Sequence, residues 1–180
     1  MIYLIPKPDS AQVGLSRIDT CVDGMLDKIG TTTEARALRG TAAVACARLA
    51  YREYRQLLAS PVWRRLAGQG ARPQRLLWAS TSTKDPACSD VKYVEPLIGA
   101  DTVTTMPPET LAAYRDHGDP ALRLEQELEA ACTLPARLAA LGIELETVSE
   151  ELERQGVQKF SDAYERVLAA LARSAGELAA

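Results

Sequence analysis

Short apolar or β-branched runs alternate with longer stretches of helical periodicity along the first two thirds of the chain. Residues 13–18, 75–80 and 102–105 are three such short runs, each close to turn-forming residues, and they predict three strands. Between them, apolar positions recur at intervals of three and four residues, as on one face of a helix. Strands that alternate with helices favour parallel pairing, so the pattern predicts an α/β fold.

A capping box of Thr31 and Glu34 opens the first predicted helix. The helical spacing extends through the C-terminal third, where Pro135 predicts a kink or break. The apolar residues of the last helix share one face, and we expect that face to pack: Phe160, Tyr164, Val167, Leu168 and Leu171. The predicted helices cover residues 35–57, 63–67, 90–98, 108–114, 120–142, 145–152 and 157–171.

Length and charge narrow the possible functions. The 180 residues suffice for one domain with a sizeable core, but a complete eightfold β/α barrel needs about 250. The net charge is −3 and the two signs are interspersed, so we expect no nucleic-acid partner. No run approaches the roughly 18 apolar residues that predict a membrane span, so no membrane partner is expected either.

The cysteines and the histidine argue against common catalytic and metal centres. Cys21, Cys46, Cys88 and Cys132 lie far apart without a Cys-x-x-Cys pair, which disfavours a metal site or a disulfide framework. Reduced thiols in a cytoplasmic protein are the simpler interpretation. The one histidine, His117, cannot build a His-centred triad or a multi-histidine metal site. It lies near a predicted helix end, where a cation is favourable.

A row of carboxylates follows the first predicted strand. Asp19, Asp23 and Asp27 recur every four residues, so a helix would place them on one face, where they could bind a divalent metal. We interpret them instead as a solvated acidic turn at the start of a helix.

Polar side chains gather directly after the second predicted strand. Residues 75–84 are RLLWASTSTK, so hydroxyls and a lysine lie at the carboxyl end of a buried strand. That end carries the active site in barrels of alternating strands and helices, and these groups suit a phosphate or a sugar. A polar loop that merely caps the strand accounts for this segment equally well.

Three strand signatures and a helical tail in two parts carry a resemblance to transaldolases. Residues 78–86, WASTSTKDP, resemble the family's seventh-strand signature WASTGTKNP, and residues 15–23, LSRIDTCVD, resemble its sixth-strand VSRVDTEVD. Residues 101–107, DTVTTMP, resemble its eighth-strand DTVNTMP, and residues 138–143 and 156–160 resemble its helical tail. The resemblance begins at about Leu15. Residues 1–12 therefore form a non-matching segment, and residues 13–180 correspond to the C-terminal part of the barrel.

The resemblance implies a partial (β/α)8 TIM barrel with about three parallel strands, flanking helices and a helical C-terminal tail. Transaldolases belong to the pentose phosphate pathway and transfer a dihydroxyacetone unit from a ketose phosphate to an aldose phosphate. They use a Schiff base on a fourth-strand lysine, with no cofactor or metal. None of the lysines here matches that nucleophile motif, because the match begins at the sixth strand. We therefore assign no catalytic residue, and expect a fragment with little activity by itself.

The resemblance assigns the substrate phosphate to three residues. Arg17 matches the family's phosphate-binding arginine, although an ion pair with a neighbouring aspartate is an alternative. Ser80 and Lys84 match seventh-strand positions of the same pocket; their alternatives are a turn cap and a solvated charge. Departures from the family pattern weaken the match: residues 11–14 lack the usual serine and aromatic residues, and Cys88 replaces a tyrosine. Ser82 replaces a glycine, and Asp85 replaces an asparagine, which adds a negative charge beside Lys84.

The expected ligand is a sugar phosphate of the sedoheptulose 7-phosphate or fructose 6-phosphate class. A partial barrel leaves strand edges and an apolar face uncovered, and such surfaces bind partners. Two alternatives to a catalytic role therefore remain. The chain could self-associate or pair with a separately made N-terminal half-barrel, or it could bind phosphosugar without catalysis.

Overall fold

The computed structural model describes residues 10–30 and 32–178, so most of the non-matching segment and Thr31 of the predicted capping box lie outside the described residues. The elements, in chain order, are β1 (Ser10–Gly14), α1 (Leu15–Ile29), α2 (Thr33–Leu38), α3 (Ala42–Ala59), α4 (Pro61–Gly68), β2 (Arg75–Ala79), a 3₁₀ helix (Glu95–Leu97), β3 (Thr102–Thr104), α5 (Pro108–His117), α6 (Leu128–Ala139) and α7 (Leu145–Leu178).

The three strands form one parallel sheet in the order β1-β2-β3. Gly14 pairs with Ala79, and Trp78 pairs with Thr104. The predicted α/β fold with three parallel strands and mostly helical surroundings is confirmed, and β2 and β3 lie within one residue of their predicted bounds. Because the strands run in the same direction, their carboxyl ends meet at one edge of the sheet.

The first predicted strand was placed wrongly. It was expected over residues 13–18, but β1 ends at Gly14 and α1 begins at Leu15. Leu15, Val22 and Leu26 are buried, and Ile18 packs against both clusters of the core. Their spacing of three and four residues is that of a helix face. The segment that carries Arg17 is therefore the first turn of a helix.

Several helix predictions also need correction. The helix predicted over residues 35–57 is divided into α2 and α3, because Gly40 adopts a left-handed backbone conformation with φ +69°. Thr32, rather than Thr31, caps α2, and its hydroxyl accepts a hydrogen bond from the backbone N–H of Ala35 at 3.1 Å. Residues 90–98 form turns and the short 3₁₀ helix instead of an α-helix. Pro96 lies within that segment and has no N–H to donate.

The C-terminal helices also differ from the prediction, one in length and two in being joined. Only Leu128–Ala139 of the helix predicted over residues 120–142 is α-helical, and Pro135 lies inside it. The two final predicted helices are one helix, α7, because Gly156 does not end it. The predictions for α5 and for His117 are confirmed, since that helix begins at Pro108 and ends at the histidine.

The core consists of two clusters of buried side chains with α3 between them. One cluster lies where the sheet meets α3, and it includes the fully buried Trp78, whose indole N–H donates to the carbonyl of Leu97 at 3.2 Å. The other joins α1, α2 and α6 to the start of α7. Helix α3 contributes to both, and its buried alanines let its neighbours approach closely: Ala42, Ala43, Ala45, Ala47 and Ala50.

The apolar face predicted to pack is exposed beyond the first turns of α7. Phe160 is 73% exposed, Tyr164 is 66% exposed and Leu171 is 62% exposed. Val167 and Leu168 share this exposure, and we call the five residues the α7 apolar face. The expectation that this face packs is therefore wrong within the described residues. By contrast, the N-terminal part of α7 is held in the second cluster by Val148.

Candidate functional site

The candidate site lies at the edge where the strands end. Gly14 is the last residue of β1, and a Cβ atom at its position would lie 4.0 Å from both the Cδ of Arg17 and the Oγ of Ser80. The backbone N–H of Ser16 donates to the carbonyl of Ser80 at 3.1 Å. The turn that begins α1 is therefore fastened to the segment after β2, and it places Arg17 and Ser80 beside each other.

Arg17 presents its charge to solvent in the first turn of α1. Its side chain is exposed, and no hydrogen bond or ion pair engages its guanidinium anywhere in residues 10–30 and 32–178. The alternative of an ion pair with a neighbouring aspartate does not hold. Asp19 is paired with Lys92, and Asp23 accepts from the backbone N–H of Gly40.

Ser80 is held in a conformation that is unusual for a residue with a side chain. Its φ is +55°, in the left-handed region, and such strain persists only where the surroundings enforce it. The neighbouring Thr81 is fully buried and its hydroxyl donates to the carbonyl of Thr105, while the Thr105 N–H donates to Trp78. These bonds fix the segment after β2 and direct Ser80 toward the edge of the sheet.

Lys84 lies four residues after Ser80 in the same segment, and its side chain is exposed. Its ammonium group donates to the hydroxyl of Ser82 at 3.1 Å. The position of Ser82 does not demand glycine, since its backbone is not among the left-handed conformations of the described residues. The negative charge of Asp85 also opposes phosphate binding less than the sequence suggests, because the carboxylate already has hydrogen-bond partners. Its carboxylate accepts from the Ala87 N–H at 2.9 Å and from Arg39 at 3.4 Å, and these bonds hold its pKa below the usual range.

These groups line one cavity of about 520 Å³. Three of its lining residues are cations, and none of the described lining residues carries a carboxylate. Arg17 and Lys84 come from the matched strand segments, whereas Lys159 comes from the matched helical tail in α7 and was not predicted as a site residue. The complete lining is Ser16, Arg17, Thr20, Cys21, Ser80, Ser82, Lys84, Pro107, Leu152, Gln155 and Lys159. Guanidinium, ammonium and hydroxyl donors without a competing acid form an arrangement that can hold a dianion.

The contribution of α7 had a signal in the sequence. Leu152, Gln155 and Lys159 follow the spacing i, i+3, i+7, so they lie along one face of a helix. This spacing was overlooked because the helix was expected to end near residue 152.

A buried network beside the cavity was also missed. Asp19 is only 2% exposed, and one carboxylate oxygen accepts from the Lys92 ammonium and from the Tyr93 hydroxyl, both at 2.8 Å. The other oxygen accepts from the Ala43 backbone N–H at 2.7 Å. The interpretation of the three aspartates as a solvated row is therefore wrong for Asp19. In the described part of the chain, no group of three or more His, Cys, Asp or Glu side chains is placed to hold a metal ion.

The side chain of Lys92 is only 15% exposed. Such desolvated surroundings can activate a lysine as a nucleophile. Burial acts to lower its pKa, but the hydrogen bond and charge of Asp19 outweigh burial, so the net shift is upward. A Schiff-base lysine must lose its proton, and its pKa is therefore lowered in enzymes. The pairing with Asp19 does the opposite, and Lys92 is suited to a structural ion pair.

A second groove of about 470 Å³ lies along α3. Its lining includes Arg48, Arg52 and Arg55, together with Tyr51 and residues that precede α6. Arg48 pairs with Glu127 at 2.7 Å. None of the residues predicted to bind phosphate lines this groove, so we place the candidate site in the cavity at the strand ends.

All four cysteines are free thiols, and burial raises the pKa of Cys46 to about 11. In the described residues, no helix is long and apolar enough to cross a membrane.

Comparison with known proteins connects this geometry to a family. The family model for transaldolase/fructose-6-phosphate aldolase matches residues 15–171. A transaldolase of Thiobacillus denitrificans is 49% identical over 159 residues, which are 88% of this chain and 44% of that protein. A transaldolase of Frankia alni is 48% identical over 163 residues, or 90% of this chain and 44% of that protein. The chain thus spans less than half the length of these relatives.

Proposed function

The chain belongs to the transaldolase/fructose-6-phosphate aldolase family, and from this premise we propose that it binds the phosphate group of a sugar phosphate through Arg17, Ser80 and Lys84. The observation that carries the proposal is their convergence on one cavity whose described lining holds no carboxylate. The guanidinium of Arg17, which has no hydrogen bond or ion pair among the residues that the structure describes, can form a bidentate contact with phosphate oxygens. Ser80 is held beside it.

The family's complete activity is proposed only for an assembly larger than this chain. The family transfers a dihydroxyacetone unit between sugar phosphates through a lysine Schiff base, in the cytoplasm and within a closed (β/α)8 barrel. We propose that residues 13–180 contribute the phosphate end of that site as part of a barrel, and that the nucleophile and catalytic carboxylates are supplied by sequence that corresponds to earlier strands. By itself, the chain is expected to show very low transaldolase activity.

Calorimetric titration with fructose 6-phosphate tests the phosphate site. Arg17→Ala should weaken binding by about 10- to 100-fold, because a charge-assisted bidentate contact is worth roughly 1.5–3 kcal/mol. The matched control is Arg72→Ala, which removes the same charge from an exposed residue just before β2, at the opposite edge of the sheet. Equal affinities of the wild type and Arg17→Ala would refute the phosphate role.

Borohydride trapping with fructose 6-phosphate tests the absence of the nucleophile. Borohydride reduces a Schiff base to a stable secondary amine, so a catalytic lysine becomes covalently labelled. We expect no label on this chain, and Lys92→Met should likewise gain no adduct mass. Robust labelling of the chain alone would contradict the assignment of the nucleophile to sequence outside it.

A second proposal is that the chain assembles with the remainder of a barrel. Within the described residues, β1 and β3 each pair with one neighbour, and the α7 apolar face is exposed. Unpaired strand edges and exposed apolar patches bind other protein surfaces. The proposed partner is a separately made segment that corresponds to the first half of the relatives. Light scattering should show self-association or complex formation. A chain that stays monomeric and does not bind such a segment would count against assembly.

A further inference from the structure

We infer that Lys159 of α7 is a third cationic contact for the substrate phosphate, so that the C-terminal helix forms one wall of the site. This inference rests on the proposed phosphate site and extends it to a residue of the matched helical tail to which the sequence analysis assigned no role. It depends on three observations: the face of α7 that reaches the cavity, the charge balance around the cavity, and the freedom of the Lys159 side chain.

The face of α7 that packs against the protein continues into the cavity. Val148 is 2% exposed within the second core cluster, and Leu152, which packs against that cluster, also lines the cavity. Gln155 and Lys159 follow on the same face. Packing of Val148 and Leu152 fixes the rotation of the helix, so the Lys159 side chain is directed at the cavity by the same contacts that hold α7 in place.

The charge of the side chains around the cavity favours a bound anion. Arg17, Lys84 and Lys159 contribute three positive charges, and the described lining contributes no acid. Like charges that surround one cavity repel one another, and a bound dianion relieves this repulsion. The carboxylate two turns earlier on α7, Glu151, is already held by Arg154 at 2.7 Å and does not neutralise them.

The Lys159 ammonium is also available. It has no hydrogen bond or ion pair within the described residues, and its side chain is exposed. Gln155, by contrast, donates to Glu151 at 2.7 Å. An ammonium on a flexible stem behaves as a mobile point charge. Lys159 can therefore approach a phosphate from the wall of the cavity that α7 forms, while Arg17 provides the directional contact.

Binding measurements on the full chain test this assignment. Wild type, Lys159→Met and Lys159→Arg are titrated with inorganic phosphate and with fructose 6-phosphate by calorimetry. We expect Lys159→Met to weaken the binding of both ligands by about 3- to 5-fold, since a partly solvated charge pair contributes modestly. Lys159→Arg should stay within about twofold of the wild type. Since the residue is exposed, all variants should keep the thermal midpoint of the wild type.

The controls separate the possible failures. Arg166→Met removes the same charge from an exposed position seven residues further along α7 and outside the cavity lining, and it should leave both affinities unchanged. Equal losses in Lys159→Met and Arg166→Met would reduce the effect to net charge and overturn the inference. Unchanged binding in Lys159→Met, with binding lost in Arg17→Ala, would overturn this inference alone. A wild type that binds neither ligand would overturn the phosphate site and the inference together.

Discussion

The buried carboxylate of Asp19 should be the most sensitive polar position of this fold. Asp19→Ala removes the acceptor of three hydrogen bonds at once: those from Ala43, Lys92 and Tyr93. Lys92 keeps a charge on a side chain that is 15% exposed, and the Tyr93 hydroxyl and the Ala43 N–H lose their partner inside the core. Breaking a buried ion pair by removing one member costs about 3–5 kcal/mol.

A loss of this size is a large share of the total, because domains unfold with about 5–15 kcal/mol. We expect Asp19→Ala to lower the free energy of unfolding by about 3–5 kcal/mol in urea denaturation followed by circular dichroism. The matched control is Asp23→Ala, one turn later on α1. That carboxylate is half-buried and accepts one backbone hydrogen bond, from Gly40 at 2.8 Å, so its removal should cost about 1 kcal/mol.

A double-mutant cycle with Lys92→Met isolates the ion pair from the other two bonds. The two groups are in contact, so we expect a coupling energy of about 1–3 kcal/mol. A loss below about 1 kcal/mol in Asp19→Ala, or single-mutant effects that add within about 0.5 kcal/mol, would refute the claim that this network holds α1 to α3 and to the segment before the 3₁₀ helix.

Three further predictions concern single positions. Ser80→Gly should raise the free energy of unfolding by about 0.5–1 kcal/mol, since glycine adopts φ near +55° without strain. The same substitution should weaken fructose 6-phosphate binding severalfold, and undiminished binding would show that the Ser80 hydroxyl does not contact the ligand. Iodoacetamide at pH 8 should label exposed Cys132 first, and labelling of Cys46 should accelerate as pH rises toward its pKa of about 11, because only the thiolate reacts; peptide mapping that finds equal rates at pH 8 would contradict this. Ser60→Ala removes the cap that accepts from the Trp63 N–H and should destabilise the protein by about 1 kcal/mol, whereas urea denaturation of Ser60→Asp should give nearly wild-type stability.

Local patterns were sufficient for the second and third strands and for the groups that follow them. A short apolar run and the hydroxyls after it are adjacent in the chain, so periodicity and turn chemistry describe them without any distant contact. The first strand shows the limit of that reasoning. An apolar residue at position 15 or 18 suits a strand and a helix equally over a few residues, and only burial of Val22 and Leu26 against distant residues settles the choice.

The same limit explains the misjudged charges and the length of the final helix. Asp19 resembles a solvated acid in sequence because its partners Lys92 and Tyr93 lie 73 and 74 residues away. The glycine at position 156 suggests an end to the helix, whereas packing of Val148 and Leu152 supports a single helix that reaches the cavity.

The sequence by itself determined the family, the three parallel strands, and the presence of Arg17, Ser80 and Lys84 in segments that match the family. The tertiary structure decided that the first two side chains flank Gly14, that Asp19 is buried rather than solvated, and that α7 adds Lys159 to the same cavity. The physical reason is that a local pattern records which face of an element is apolar, whereas the meeting of distant charges depends on how those faces pack together.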